Sequence, residues 1–240
     1  MFISGPCFPT FAGWPCDPVK SGLNPVGIFG GTFDPVHFGH LRLAQEVAER
    51  CGLESVRILP AGIPPHRSPP HCEAFHRMDM ARIATAGNPL FIPDEREVLK
   101  TSPCYSVETL LELRSEWGPD KPLCLMVGAD AFLGFPAWHR WRELFGLAHI
   151  LVAQRPGFDI RSAITGVLGE EYAARSEQDL AALRRFSCGR IVTIDITLLD
   201  ISASMIRECL AKGASPRYLL PEGVLDYIQN HGLYREKHAV

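Results

Sequence analysis

The stretch Val26–His40, V-G-I-F-G-G-T-F-D-P-V-H-F-G-H, limits what this chain can fold into more than any other part of it. Val26, Ile28 and Phe29 form a short apolar run of the kind a buried parallel strand uses. Gly30 and Gly31 end the run and allow a tight turn with close backbone approach to a ligand. Pro35 stiffens the loop that follows. From about His37 the pattern turns helical: Leu41, Ala44, Val47, Ala48 and Cys51 share one face, and Gly52 comes next as a stop. Strand, glycine turn and helix in this order open a nucleotide-binding α/β unit. The sequence nevertheless carries neither a G-x-G-x-x-G fingerprint nor the Gly-Lys-Ser/Thr of a P-loop at this turn.

The chemistry of the turn lies in His37-x-Gly39-His40. Residues three apart at a helix start share one side of its first turn. Unsatisfied N–H groups and the positive end of the helix dipole lie beside them. Phosphate is the group that such a turn holds. One histidine here would read as an ordinary surface residue; two at this spacing, directly after Gly-Gly, read as a site.

The rest of the chain repeats the alternation. Strands are expected at Ser55–Leu59, Leu90–Pro93, Leu123–Val127, His149–Ala153 and Arg190–Ile196. Helices are expected at about Glu73–Ala86, with Met78, Ala81, Ile83 and Ala84 inward, and at Val107–Trp117. Further helices are expected over most of 160–185, from Ser202 or Ser204 to Lys212, and at Glu222–Asn230. The expected fold is therefore α/β, a doubly wound, Rossmann-like parallel sheet. Two further segments interrupt strand ends. A proline-rich loop over 60–71 carries His66, Arg67 and His71, where open α/β sheets bind ligands. Near the end, D-I-S-A-S-M-I-R places Ser202, Ser204 and Arg207 at a helix start, a second anion site. Residues 1–24 show no periodicity and are read as a poorly ordered Pro-rich extension, with the domain proper at 25–240.

Composition narrows the partners. A formal net charge of −3 gives no general attraction to nucleic acid or a membrane surface, so the charge that binds phosphate must be local. No apolar run is long enough to span a bilayer. The eight cysteines form no C-x-x-C and no zinc-ligand spacing, which points to a reducing, cytoplasmic setting and to no protein-held metal. The sequence leaves self-association open.

With both anion sites in view, G-G-T-F-D-P-V-H-F-G-H resembles the signature of the H-x-G-H nucleotidyltransferases. Within them the chain is similar to the nicotinate-mononucleotide adenylyltransferases. The match extends through P-P-H-R at 64–67, G-A-D at 128–130, F-P-A-W at 135–138, R-P-G at 155–157 and I-S-A-S-M-I-R at 201–207. These markers run over about 26–234 in the family's order, with 1–24 outside.

The resemblance implies adenylyl transfer from ATP to nicotinate mononucleotide, giving nicotinate adenine dinucleotide and pyrophosphate, with Mg2+ accompanying ATP. It implies that His37, His40 and Arg207 are catalytic, and that Gly30, Gly31, Thr32, Phe33, Arg155 and Ser204 join them in holding ATP. For the mononucleotide it implies His66, Arg67, Ser106, Gly128, Asp130, Trp138 and His139. Trp138 would stack on the pyridine ring, and backbone N–H groups near Trp138 and His139 would take its carboxylate. Read alone, Ser106 is a helix N-cap and Asp130 is either a cap or a ribose contact. Two other readings use the same turn: transfer to pantetheine phosphate, and a sensor that binds ATP without chemistry. The F-P-A-W aromatic shelf argues against the first, and retention of both histidines with Arg207 argues against the second.

Overall fold

A computed structural model describes residues 23–64, 69–155, 157, 159–197 and 199–235. The extension is outside these residues up to position 22, as are His66 and Arg67 of the proline-rich loop. The strands are β1 (Val26–Gly31), β2 (Ser55–Pro60), β3 (Phe91–Pro93), β4 (Leu123–Gly128), β5 (His149–Gln154) and β6 (Ile191–Asp195). The helices are α1 (Phe38–Cys51), α2 (Ala74–Thr85), α3 (Ser106–Trp117), α4 (Ala129–Leu133), α5 (Leu144–Leu147), α6 (Ile160–Ala163), α7 (Gly166–Arg175), α8 (Ala182–Arg185), α9 (Ala203–Ala211) and α10 (Glu222–Asn230).

The strands make one sheet in the order β3-β2-β1-β4-β5-β6, every pair parallel. Chain order reverses between β1 and β4. That reversal opens a crevice at their carboxyl ends, where α/β sheets take ligands. Alternate residues along the strands feed two cores. Phe29, Ile58, Met126, Leu151 and Ile194 pack with α1, α2 and α10 on one face. Ile28, Leu59, Leu125, Ile150 and Ile191 pack with α3 and α5 on the other. The two-sided burial explains why β4 reads as an unbroken apolar run.

Two local expectations change, in α2 and α3, while 160–185 is mainly helical as expected, divided into three short helices. Gly166 adopts a positive φ of 60°, and the chain leaves α7 so that the Glu177 N–H can bond to the Ile191 carbonyl beside β6. In α2 the inward face holds Arg77, Met78, Met80 and Ala81, whereas Ile83 is exposed at the edge that α10 approaches through Gly223. The N-cap of α3 is Tyr105, so Ser106 is its first helical residue and does not cap it.

Candidate active site

The turn after β1 is built around Phe33. This residue has a positive φ of 48° and lies in the core at 2% exposure. Its ring packs edge-on against Phe29 at 5.6 Å and against His40 at 5.0 Å. A side chain at Gly31 would place its Cβ 2.9 Å from that ring, so the second glycine makes room for Phe33. A Cβ on Gly30 would meet nothing within 4 Å, which leaves the first glycine's backbone open at the carboxyl end of β1. The Asp34–Pro35 peptide is cis.

His37 is the N-cap residue of α1, and its side chain does not cap the helix. It turns back over the first turn and stacks on His40, with ring centroids 3.7 Å apart and planes 28° from parallel. The spacing therefore does bring the two rings together. Gly39 is required by this stack: a Cβ there would sit 3.0 Å from the His37 ring and 3.3 Å from the Ile201 carbonyl. His37 is 5% exposed, and its Nδ1 has no hydrogen-bond partner among the described residues. Burial pushes its pKa down to about 4, so it is a neutral imidazole at physiological pH. The Phe38 N–H, first in the helix, is taken by the Leu219 carbonyl.

The two anion sites, distant in sequence, meet here. Arg207 on α9 donates from Nη1 to the Asp34 carbonyl at 2.7 Å and from Nη2 to the Ser204 hydroxyl at 3.1 Å. Ser202, not Ser204, caps α9 by accepting the Met205 N–H at 3.2 Å. The Ser204 hydroxyl is thus left for the site and is held by the guanidinium. A side chain that the sequence reading passed over secures the approach to α9. Glu46 on α1, 3% exposed, accepts the Thr197 N–H at 2.8 Å just beyond β6. Burial works against its charge, but the Thr197 N–H and Arg42 outweigh it and hold the carboxyl below its ordinary pKa.

Other expected residues arrive at the same sheet edge with mixed consequences. Gly128 ends β4 and is the N-cap residue of α4. Asp130 is exposed in the first turn of that helix, so it is not the cap. Arg155 follows β5 and is exposed. The Trp138 ring is half-buried against Phe135, with centroids 4.7 Å apart. The His139 ring lies 4.5 Å from Tyr105, directly before Ser106. The Trp138 N–H donates to the Phe135 carbonyl at 2.8 Å. The sequence also gave no sign of Arg77. It is 1% exposed and donates to the carbonyls of Thr32 at 2.8 Å and Gly62 at 3.0 Å, which ties the turn after β1 to the proline-rich loop.

Comparison with known proteins decides the family. The cytidylyltransferase-like family matches residues 28–209. A probable nicotinate-nucleotide adenylyltransferase of Dechloromonas aromatica is 52% identical over 212 residues, covering 88% of this chain and 98% of the relative. The chain belongs to the nicotinate-nucleotide adenylyltransferase family. A probable member from Aeromonas hydrophila is 47% identical, with 88% of this chain and 97% of the relative covered. The fold agrees with the family as well. Plasmodium falciparum nicotinic acid mononucleotide adenylyltransferase complexed with NaAD superposes with a TM-score of 0.63 at 19% identity, covering 88% of this chain and 97% of that one.

Proposed function

We infer that this chain transfers the adenylyl group of ATP to nicotinate mononucleotide, forming nicotinate adenine dinucleotide and pyrophosphate in NAD biosynthesis. The observation that carries the reading is the junction of the α1 and α9 N-termini through Arg207 and the Asp34 carbonyl, with the stacked His37 and His40 beside it. Helix N-termini, imidazole N–H groups and one guanidinium together suit a triphosphate.

The chemistry needs no protein nucleophile. The acceptor phosphate is a dianion near neutral pH and attacks the α-phosphorus of ATP; the bond from that phosphorus to the α,β-bridging oxygen breaks, and pyrophosphate leaves with the electron pair. The residues align the two phosphates and stabilise charge as it builds on the leaving group. Potential nucleophiles nearby are not activated: the Ser204 hydroxyl faces Arg207, and burial pushes the Cys72 thiol up to about 12. In this reading His37, His40, Arg207 and Ser204 hold the ATP phosphates, with Gly30, Gly31, Thr32 and Phe33 contributing backbone and Arg155 charge. Trp138 offers a ring face to the pyridine, and His66, Arg67, Ser106, Gly128, Asp130 and His139 complete the acceptor side.

Among the described residues no three His, Cys, Asp or Glu side chains cluster to hold a metal ion. A cation carried by phosphates and water needs no such cluster, which fits Mg2+ arriving with ATP. That ion would neutralise phosphate charge and supply nothing else. Cys51, Cys72, Cys104, Cys124 and Cys209 remain thiols, which supports a reducing, cytoplasmic setting. No described helix is long and apolar enough to cross a membrane.

The test is pyrophosphate release from Mg-ATP with nicotinate mononucleotide, nicotinamide mononucleotide or pantetheine phosphate. Release with the first, and much less with the others, is expected. Equal or greater release with pantetheine phosphate would move the assignment to that acceptor. ATP binding with no release from any acceptor would leave only a sensor.

A further inference from the structure

The carboxylate of Asp34 lies within the catalytic turn, is 4% exposed and has no part in the transfer chemistry above. Three donors from two distant segments converge on it. The His71 N–H donates to Oδ2 at 2.7 Å. The Cys72 thiol donates to Oδ1 at 3.3 Å, and the Tyr234 hydroxyl donates to Oδ1 at 2.7 Å. The shortest side-chain contact thus comes from a residue 200 positions away, beyond α10. Tyr234 reaches it with a positive φ of 62°, in backbone space that a non-glycine residue enters only when its surroundings hold it there. Burial, with Asp34 and Cys72 beside it, raises the phenol's pKa, so it stays a protonated donor.

Asp34 is held from its other end too, by Arg207 on its carbonyl, while Arg77 holds the Thr32 carbonyl. Thr32 and Asp34 flank the strained Phe33, and three residues after Asp34 the chain reaches His37. We propose that Tyr234 is a positioning residue for adenylyl transfer: its hydroxyl fixes Asp34 and so holds the Thr32–His37 turn that presents the two histidines to the phosphates. The proposal rests on the adenylyl-transfer reading for its kinetic effect, but not for its structural one.

Tyr234→Phe keeps the ring and removes the donor, leaving a buried carboxylate short of one hydrogen bond. We expect kcat for pyrophosphate release to fall about tenfold, as the loss of one bond to a charged group implies. The KM for nicotinate mononucleotide stays within about twofold. Because Tyr234 acts through Asp34, Tyr234→Phe in an Asp34→Asn background costs no further kcat. Amide exchange over residues 32–37 quickens by about fivefold or more in Tyr234→Phe, while β4 and β5 keep their protection. Unchanged kcat, or losses that multiply in the double variant, would overturn the proposal. So would unchanged exchange over 32–37, whatever the enzyme's acceptor proves to be. If Asp34→Asn does not fold, the split between kcat and KM and the exchange result for Tyr234→Phe decide.

Discussion

Two histidines in this molecule are buried alike and used differently. His149 opens β5 at the amino-terminal edge of the sheet and is fully buried. His37 opens α1 at the carboxyl-terminal edge, at 5% exposure. Burial pushes both down to about 4, so both are neutral in the folded protein at pH 7. What differs is the account of their nitrogens. His149 bonds through Nε2 to the Phe186 carbonyl at 2.9 Å and accepts the Arg190 N–H on Nδ1 at 3.2 Å. Its capacity is used up by the fold. His37 has Nδ1 buried with no partner among the described residues and a stacked imidazole beside it. The fold accounts for a satisfied buried polar group; an unsatisfied one calls for another partner, which the proposed function supplies for His37 as the phosphates. A depressed pKa alone does not separate the two cases.

The largest effect that tests this contrast is on turnover. His40→Ala and His37→Ala should each lower kcat by about 10²–10³, as loss of a donor to developing charge does, with mononucleotide binding less affected. His149→Leu should leave kcat of the folded enzyme unchanged. Equal losses in steady-state assays at both ends of the sheet would erase the distinction.

Stability should show the reverse. His149→Leu strands the Phe186 carbonyl and the Arg190 N–H in the interior, at about 2–3 kcal/mol in urea unfolding. His37→Ala loses no hydrogen bond to Nδ1, only the ring's packing on His40, and should cost less than His149→Leu in the same measurement.

Acid should destabilise the protein through both residues. Each protonates near 6.5 when unfolded but only near 4 when folded. The unfolded state therefore binds more protons between these values, and stability is full above pH 6.5 and lost as pH falls towards 4. Each group contributes roughly 2–3 kcal/mol of that loss. Urea unfolding at pH 7 and pH 4.5 should show the fall, and His149→Gln should flatten it.

The smallest effects concern glycines that look equivalent in sequence. Gly62→Ala drives a Cβ into the Glu97 carbonyl and should unfold at visibly lower temperature. Gly30→Ala meets nothing within 4 Å and should keep its melting temperature, while raising the KM for ATP or the mononucleotide severalfold. A fall in its melting temperature would show that Gly30 serves the fold and not the ligand.

The sheet and the H-x-G-H turn were legible because both rest on local signals: apolar runs of strand length, glycines at their ends, and a histidine spacing that matches one helical turn. Ser202 and Arg207 could be read for the same reason. What escaped was held by contacts remote in sequence. Nothing about Arg77 in an otherwise apolar helix face announces that it collects the carbonyls of Thr32 and Gly62. Glu46 reads as one charge among several on α1 until Thr197 is found against it. Ile83 fits the helical stripe of α2 but meets the edge of α10 instead of the core.

In the proposed reaction the acceptor phosphate attacks ATP directly, with the protein aligning and stabilising but never bonding to the adenylyl group. The most direct measurement is the stereochemical course at the α-phosphorus, using ATP made chiral there by sulfur and nicotinate mononucleotide as acceptor. A single in-line displacement predicts the dinucleotide with inverted configuration. Retention would require two displacements through a nucleophile of the protein, and would contradict the account.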